Sequence, residues 1–318
     1  MIFMRTMKQL ALVALLALLG VTVDLSAAGT AGGSAEEILK QARQAIGGED
    51  ALRSVQSLTA KGKYRRVLQD RDVSGERELY FQLPDKFQRS DSFERGPMGM
   101  SVYMTRTLNG AQFWTDTSAP GGGVVIMRDG QPEKPTREQL EQMQRRQAAQ
   151  LRAEFARYLL ALFLNPPGDF NLTYTYAGEA AADDGHADVI DADGPEGFAA
   201  RLFLSKETHL PLMLSYRGPR MRMMMMSRPG GGHGQPGGGA APTAEAEKEA
   251  RERLSKEGPP AKAEEAEYQL RFEDYRKVGA LVLPHRITQA QDGEINEEWE
   301  IKSYEINPQF KADKFQKK

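Results

Sequence analysis

YQLRFEDYRKVGALVLPHRITQAQDGEINEEWEIKSYEINPQF, residues 268–310, holds three β-type runs separated by two turn signals, VGA at 278–280 and QDG at 291–293. Tyr268, Leu270 and Phe272 alternate with Gln269, Arg271 and Glu273, and Trp299 and Ile301 alternate with Glu298, Glu300 and Lys302. Period-two alternation marks strands with one buried and one wet face. The stretch contains no cluster of nucleophile, base and orienting group. What the apolar face covers therefore matters more to function than any reactive side chain on it.

Working outward, the same grammar recurs through the chain. Strands are expected at 57–68, 75–83, 86–93, 101–108 and 112–117, with Pro84-Asp85 and Asn109-Gly110 as turns. They resume at 171–180, 186–191, 197–205 and 210–217. Helices are expected at 35–46, capped by Ser34 and stopped by Gly47-Gly48, and at 136–164, stopped by Asn165-Pro166-Pro167. In the long helix Leu140, Met143, Leu151, Phe155, Leu159 and Leu162 recur at three- and four-residue steps, with Gln and Arg opposite. An amphipathic helix inside a β protein must cover something apolar, and the concave face of a curved sheet is the natural partner. The fold class is mainly β (α+β): an unclosed antiparallel barrel of about eleven or twelve strands over a few helices.

Composition sets the context. Residues 1–28 have the basic, apolar, small-residue order of an export signal, with Arg5 and Lys8 ahead of an apolar run and cleavage expected after Ala28 or Ala31. The chain has no cysteine, which excludes disulfides, thiolate metal sites and a lipid-modified cysteine at the cleavage site. A periplasmic location is expected, with residues 35–318 forming one domain. The 42 Lys and Arg against 44 Asp and Glu give no basic excess, so nothing points to nucleic acid. Residues 218–262 change character, passing from MRMMMM through RPGGGHGQPGGG to a charged helical pattern. Such a segment cannot bury enough apolar surface to offset its ordering entropy, and it is expected as a disordered insertion between neighbouring strands.

Chemistry is sparse. His186, His209, His233 and His285 are scattered without metal-ligand spacing. Asp183, Asp184, Asp188, Asp191 and Asp193 do not follow a calcium loop and read as solvated carboxylates. Gly121-Gly122-Gly123 lacks the lysine of a phosphate cradle. Met221, Met223, Met224, Met225 and Met226 could offer thioethers to Cu(I); the preferred reading is an adaptable apolar tip, with Arg220, Arg222 and Arg228 near a headgroup. No metal site, cofactor or catalytic residue is assigned.

Several segments together resemble the LolA/LolB-like superfamily of periplasmic lipoprotein and lipid carriers. GGEDALRSVQSLTAKGKY resembles its first helix and strand, ELYFQLPDKFQRS its strand-Pro-turn-strand element, and LNGAQFWTDT and LFLSKETHLPLMLSYRG its hairpins. FEDYRKVGALVLPHRI and EINPQF resemble its closing strands. The resemblance implies a half-barrel with an apolar cavity under helices. The lipoprotein carriers have a lid arginine just before the strand proline; here that residue is Leu83, preceded by Gln82.

The function expected is a non-catalytic periplasmic binder or carrier of lipoproteins or other acylated ligands. Leu79, Phe81, Leu202, Leu204, Leu270, Phe272, Trp299 and Ile301 from strands, with Leu140, Leu151, Phe155 and Leu159 from the long helix, are its candidate cavity wall. A one-residue register slip would turn the strand residues outward, and the plain alternative is that all of them form a filled core. The rival function is an envelope regulator of the same fold that binds a membrane-protein partner; an enzyme comes third.

Overall fold

Alternation in the sequence becomes one curved antiparallel sheet. The computed structural model describes residues 34–68, 71–95, 100–118, 126–128, 131–133, 136–165, 170–182, 185–220 and 265–317. The expected export signal, the triple-glycine loop, Asp183, Asp184, His233 and all but the first residues of the Met- and Gly-rich insertion lie outside them.

The strands are β1 (Ser57–Leu68), β2 (Arg71–Gln82), β3 (Lys86–Arg95), β4 (Met100–Asn109), β5 (Gln112–Thr117), β6 (Ile126–Arg128), β7 (Gln131–Glu133), β8 (Thr173–Ala182), β9 (Gly185–Asp193), β10 (Ala199–Ser205), β11 (Pro211–Pro219), β12 (Glu265–Val278), β13 (Leu281–Gln291) and β14 (Glu294–Ile306). The helices are α1 (Ala35–Ile46), α2 (Glu49–Arg53) and α3 (Arg137–Phe163). Twelve strands form one sheet in the order β5-β4-β3-β2-β1-β14-β13-β12-β11-β10-β9-β8, while β6 and β7 pair as a separate hairpin. Sequence neighbours pair throughout except at β1, which joins β14, with Leu58 opposite Ile306. The terminal strands β5 and β8 are unpaired with each other, so the barrel is unclosed.

Turn chemistry sets the register of the deciding stretch. Gly279 (φ 61°), Asp292 (φ 50°) and Gly293 (φ 86°) occupy the left-handed region at the two turns read from the sequence. The β4–β5 turn falls one residue later than expected, at Gly110 and Ala111, because Asn109 pairs with Gln112. The Asn109 side-chain amide instead donates to the carbonyl of Phe315 at 3.0 Å, holding the C-terminal tail. Ser34 caps α1 by accepting from the Glu37 amide at 3.3 Å, and the stripe Ile38, Leu39, Ala42, Ile46 is buried. At Gly47 (φ 156°) a Cβ would stand 2.6 Å from the Ala280 carbonyl oxygen, so this close approach requires glycine.

The long helix behaves as two halves. Thr136 and Gln139 form a reciprocal capping box at its start. From Leu151 onward it is buried almost all round, Tyr158 to Leu164 being entirely within the core. Residues 137–150 are mostly exposed, and Leu140 is 36 % exposed. Leu140 is therefore not part of an internal wall. Its turn of helix has only Met143 as a half-buried apolar neighbour, too little for packing to hold against the sheet.

Candidate functional site

Directly opposed residues of antiparallel neighbours share a face, so the register maps the concave surface row by row. One row across β1 to β5 is Leu58, Phe81, Phe87, Leu108 and Phe113. The next is Ala60, Leu79, Arg89 and Arg106, followed by Gly62, Arg77, Asp91 and Met104, and then by Tyr64, Gly75, Phe93 and Val102. Across β14, Ile301 stands opposite Gly62, Trp299 opposite Tyr64 and Glu297 opposite Arg66. The concave face is thus banded: apolar, then charged, then aromatic.

The first band packs against the second half of α3. Phe155 stacks on Phe87 at 5.4 Å and lies 6.0 Å from Phe81, which is 5.0 Å from Phe87; Tyr158 meets both sheet rings at 6.2 Å. Leu79, Phe81, Leu151, Phe155, Leu159, Leu202, Leu204, Leu270, Phe272, Trp299 and Ile301 are all buried, in one continuous apolar cluster. They come together as the sequence grammar implied, but α3 already occupies the space they enclose. A depression of about 630 Å³ lies instead on the convex side, lined by Lys63, Arg65, Glu76, Ser92, Tyr103 and Glu298 among others.

The charged band has no counterpart in the sequence reading. Arg77, 1 % exposed, donates through Nε to Asp91 at 2.7 Å and through Nη1 to Glu297. Arg66 also donates to Glu297, from Nε at 2.6 Å. Arg89 links Asp91 and Glu154, both at 2.7 Å, and Arg106 lies 3.5 Å from Glu154. The Arg77 guanidinium sits 4.7 Å from the Tyr64 ring and 5.7 Å from the Trp299 ring. Gly75 makes this possible, since a Cβ there would stand 1.8 Å from the Ser92 carbonyl oxygen and 3.1 Å from the Tyr64 ring. Burial alone would push the Asp91 carboxyl up, but Arg89 and Arg77 outweigh it and hold it at about 2. Burial likewise opposes ionisation of Glu154 and Glu297, and the arginines around each keep both below the usual carboxylate range. Burial pushes the Tyr158 hydroxyl up to about 12.

Glu154 is the member of this network contributed by α3, so ion pairs with β3 and β4 tether one flank of the covering helix. On the other flank Arg157 lies over the Tyr216 ring at 3.7 Å and within 5.5 Å of the Phe198 ring. The remaining sequence candidates take part in neither. Asp188 is buried, not solvated as the sequence suggested, and accepts from the Tyr176 hydroxyl at 3.3 Å, whereas the part-exposed Asp191 holds Arg201 at 2.6 Å. His285 packs edge-on against Tyr304, and Arg220 pairs with Asp292 at 2.7 Å. Among the described residues no group of three His, Asp or Glu is placed to hold a metal ion. No helix there is long and apolar enough to cross a membrane.

No protein-family model and no curated protein matches the chain. Among solved structures, a LolA superfamily protein from Nitrosomonas europaea is similar at 10 % identity and a TM-score of 0.46, over 90 % of this chain and 99 % of that one. A domain described as an outer membrane lipoprotein-sorting protein, from Vibrio parahaemolyticus, is similar at 8 % identity and a TM-score of 0.45, over 89 % and 97 %. A chain of the Pseudomonas aeruginosa MucA/MucB complex is similar at 11 % identity and a TM-score of 0.20, over 86 % and 99 %. An unclosed antiparallel sheet wrapped over helices is what the LolA-like resemblance of the sequence implied, and the strand order and the placement of α3 give this chain that architecture.

Proposed function

We propose that this protein is a non-catalytic binder or carrier of acylated ligands, acting in the periplasm after removal of its export signal. The observation that carries the reading is the covering of an apolar concave face by helices, with the second half of α3 seated on the aromatic residues of β2 and β3. Phe155, Leu159 and their neighbours on α3 fill the volume that an acyl chain would take. Ligand uptake is then an exchange: α3 swings out, the chain enters, and apolar burial is conserved. Each methylene taken from water contributes about 0.8 kcal/mol, so a chain of ordinary length offsets the loss of the helix contacts while leaving binding reversible. The exposed first half of α3 provides a lever outside the core, and the Glu154 ion pairs supply a tether that keeps the empty protein closed.

Lipid extraction of the protein purified from an exported fraction, followed by mass spectrometry, tests this. Co-purifying acyl lipid or lipoprotein, raised in Phe155→Glu because the substitution weakens the closed state, is the expected result. Protein that carries none, and takes up none from vesicles, contradicts it.

A second reading, a regulator that binds a membrane-protein partner, is favoured by exposed apolar side chains on the sheet. Met104, opposite Asp91 on the concave side, is 41 % exposed, and Ile295 near the start of β14 is 57 % exposed. Under that reading Met104→Asp with Ile295→Asp abolishes partner capture while lipid content stays at zero in both proteins.

A further inference from the structure

Among the described residues, Arg157 on α3 differs from the arginines of the charged band. Arg66, Arg77, Arg89 and Arg106 each have a carboxylate within ion-pair distance. Arg157 has none among the described residues, and its Nε is enclosed without an acceptor. The residue as a whole remains part-exposed, so its guanidinium is reachable from outside.

Its surroundings hold the group in place without neutralising it. The guanidinium carbon lies 3.7 Å from the Tyr216 ring centre and 5.5 Å from that of Phe198. Tyr216 is itself stacked on Tyr268 at 5.2 Å and 14°, and the Tyr268 hydroxyl is committed to the Pro219 carbonyl at 2.9 Å. An aromatic face attracts a cation but offers no acceptor to N–H groups at the guanidinium edge. Burial disfavours the charged form of Arg157, and the opposing pull of Tyr216 and then Glu154 does not outweigh it. Glu154, one turn earlier on the same helix, is by contrast engaged by two arginines.

We propose that Arg157 is the headgroup subsite: it receives the anionic oxygens of the ligand, a carboxylate or a phosphate, through its unoccupied N–H fork. The proposal rests on the acyl-ligand reading for the rest of the ligand. It also places headgroup recognition on the helix that covers the apolar face, so that capture of the anion acts on the element that must move.

Calorimetric titration with dodecanoate, dodecyl phosphate and the uncharged 1-dodecanol, each below its micelle concentration, tests it, alongside acetate and inorganic phosphate as headgroups without a chain. Wild type should bind the anionic alkyl probes about 10- to 100-fold more tightly than dodecanol, the range of a charge-assisted hydrogen-bond pair. Arg157→Gln should erase that preference and leave dodecanol affinity unchanged, while Arg157→Lys restores only part of it. An anion preference that survives in Arg157→Gln, or that wild type lacks, overturns the subsite and leaves the carrier reading standing. Acetate or phosphate binding that depends on Arg157, without any alkyl binding, supports the subsite and refutes the carrier reading. Binding of none of the probes refutes both.

Discussion

Phe155 stacks on Phe87 and touches Phe81, so its ring is where α3 and the sheet share a core. Phe155→Ala should cost about 4 kcal/mol, as large-to-small changes at fully buried aromatic positions do, read as a lower denaturant midpoint; a loss under about 1 kcal/mol would mean the helix is not packed there. Glu154→Gln leaves Arg106 without its carboxylate and Arg89 with only Asp91. Breaking this part-buried pair from one side should cost about 1–3 kcal/mol, and Arg106→Gln in the same chain should recover part of the loss; strict additivity of the two changes would show that the pair is not coupled. The carboxylates of the band also set a pH dependence. Their folded pKa values are lowered, so the stabilisation is complete above the unfolded values near 4 and is lost as pH falls through the folded ones. For Asp91 the folded value is about 2. Melting temperature should therefore fall between roughly pH 4 and pH 2, and Asp91→Asn should flatten that fall; an unchanged slope would rule out Asp91 as its source. This band was within reach of the sequence. Arg77 sits two residues before Leu79 and four before Phe81, and Arg89 and Asp91 fall between Phe87 and Phe93 at the same parity. Hydrophobicity alone does not mark such residues as inward, whereas on three adjacent strands the charges share the inward parity and neutralise one another there.

At the level of elements, local chemistry carried most of the information. The glycine-containing turns at 278–280 and 291–293, the Ser34 and Thr136 caps and the Pro-terminated helix stand where residue preferences place them. The long helix misleads because one periodicity was extended over two unequal parts. After Leu140 and Met143 the chain runs QRRQAAQ before apolar residues become dense at Leu151, and burial follows that density. The exposed half should accordingly be tolerant: Leu140→Ser is expected to change stability by less than about 0.5 kcal/mol, and a larger loss by thermal melting would indicate an uncounted contact. The strands on either side of residues 221–264 pair directly, Pro219 opposite Glu265. Closing a surface loop becomes only ~0.6 kcal/mol costlier with each doubling of its length, so exchanging these residues for a short turn should leave the fold's melting temperature nearly unchanged. Failure of that variant to fold would give the segment a structural role.

For the whole molecule, the central claim is that the apolar concave face is covered by α3 when empty and by an acyl chain when loaded. The long-range order that makes the face, β1 against β14 with α3 spanning the sheet between, brings together residues far apart in sequence. Alternation reveals which residues turn inward but is silent on whether a helix or a ligand fills the space they enclose. Amide hydrogen exchange with and without saturating phosphatidylglycerol vesicles measures this most directly. The account predicts strong protection of residues 151–163 in the empty protein, with exchange there at least about tenfold faster once lipid is taken up, and unchanged protection in β1 and β14. Lipid uptake that leaves α3 protection untouched would contradict it.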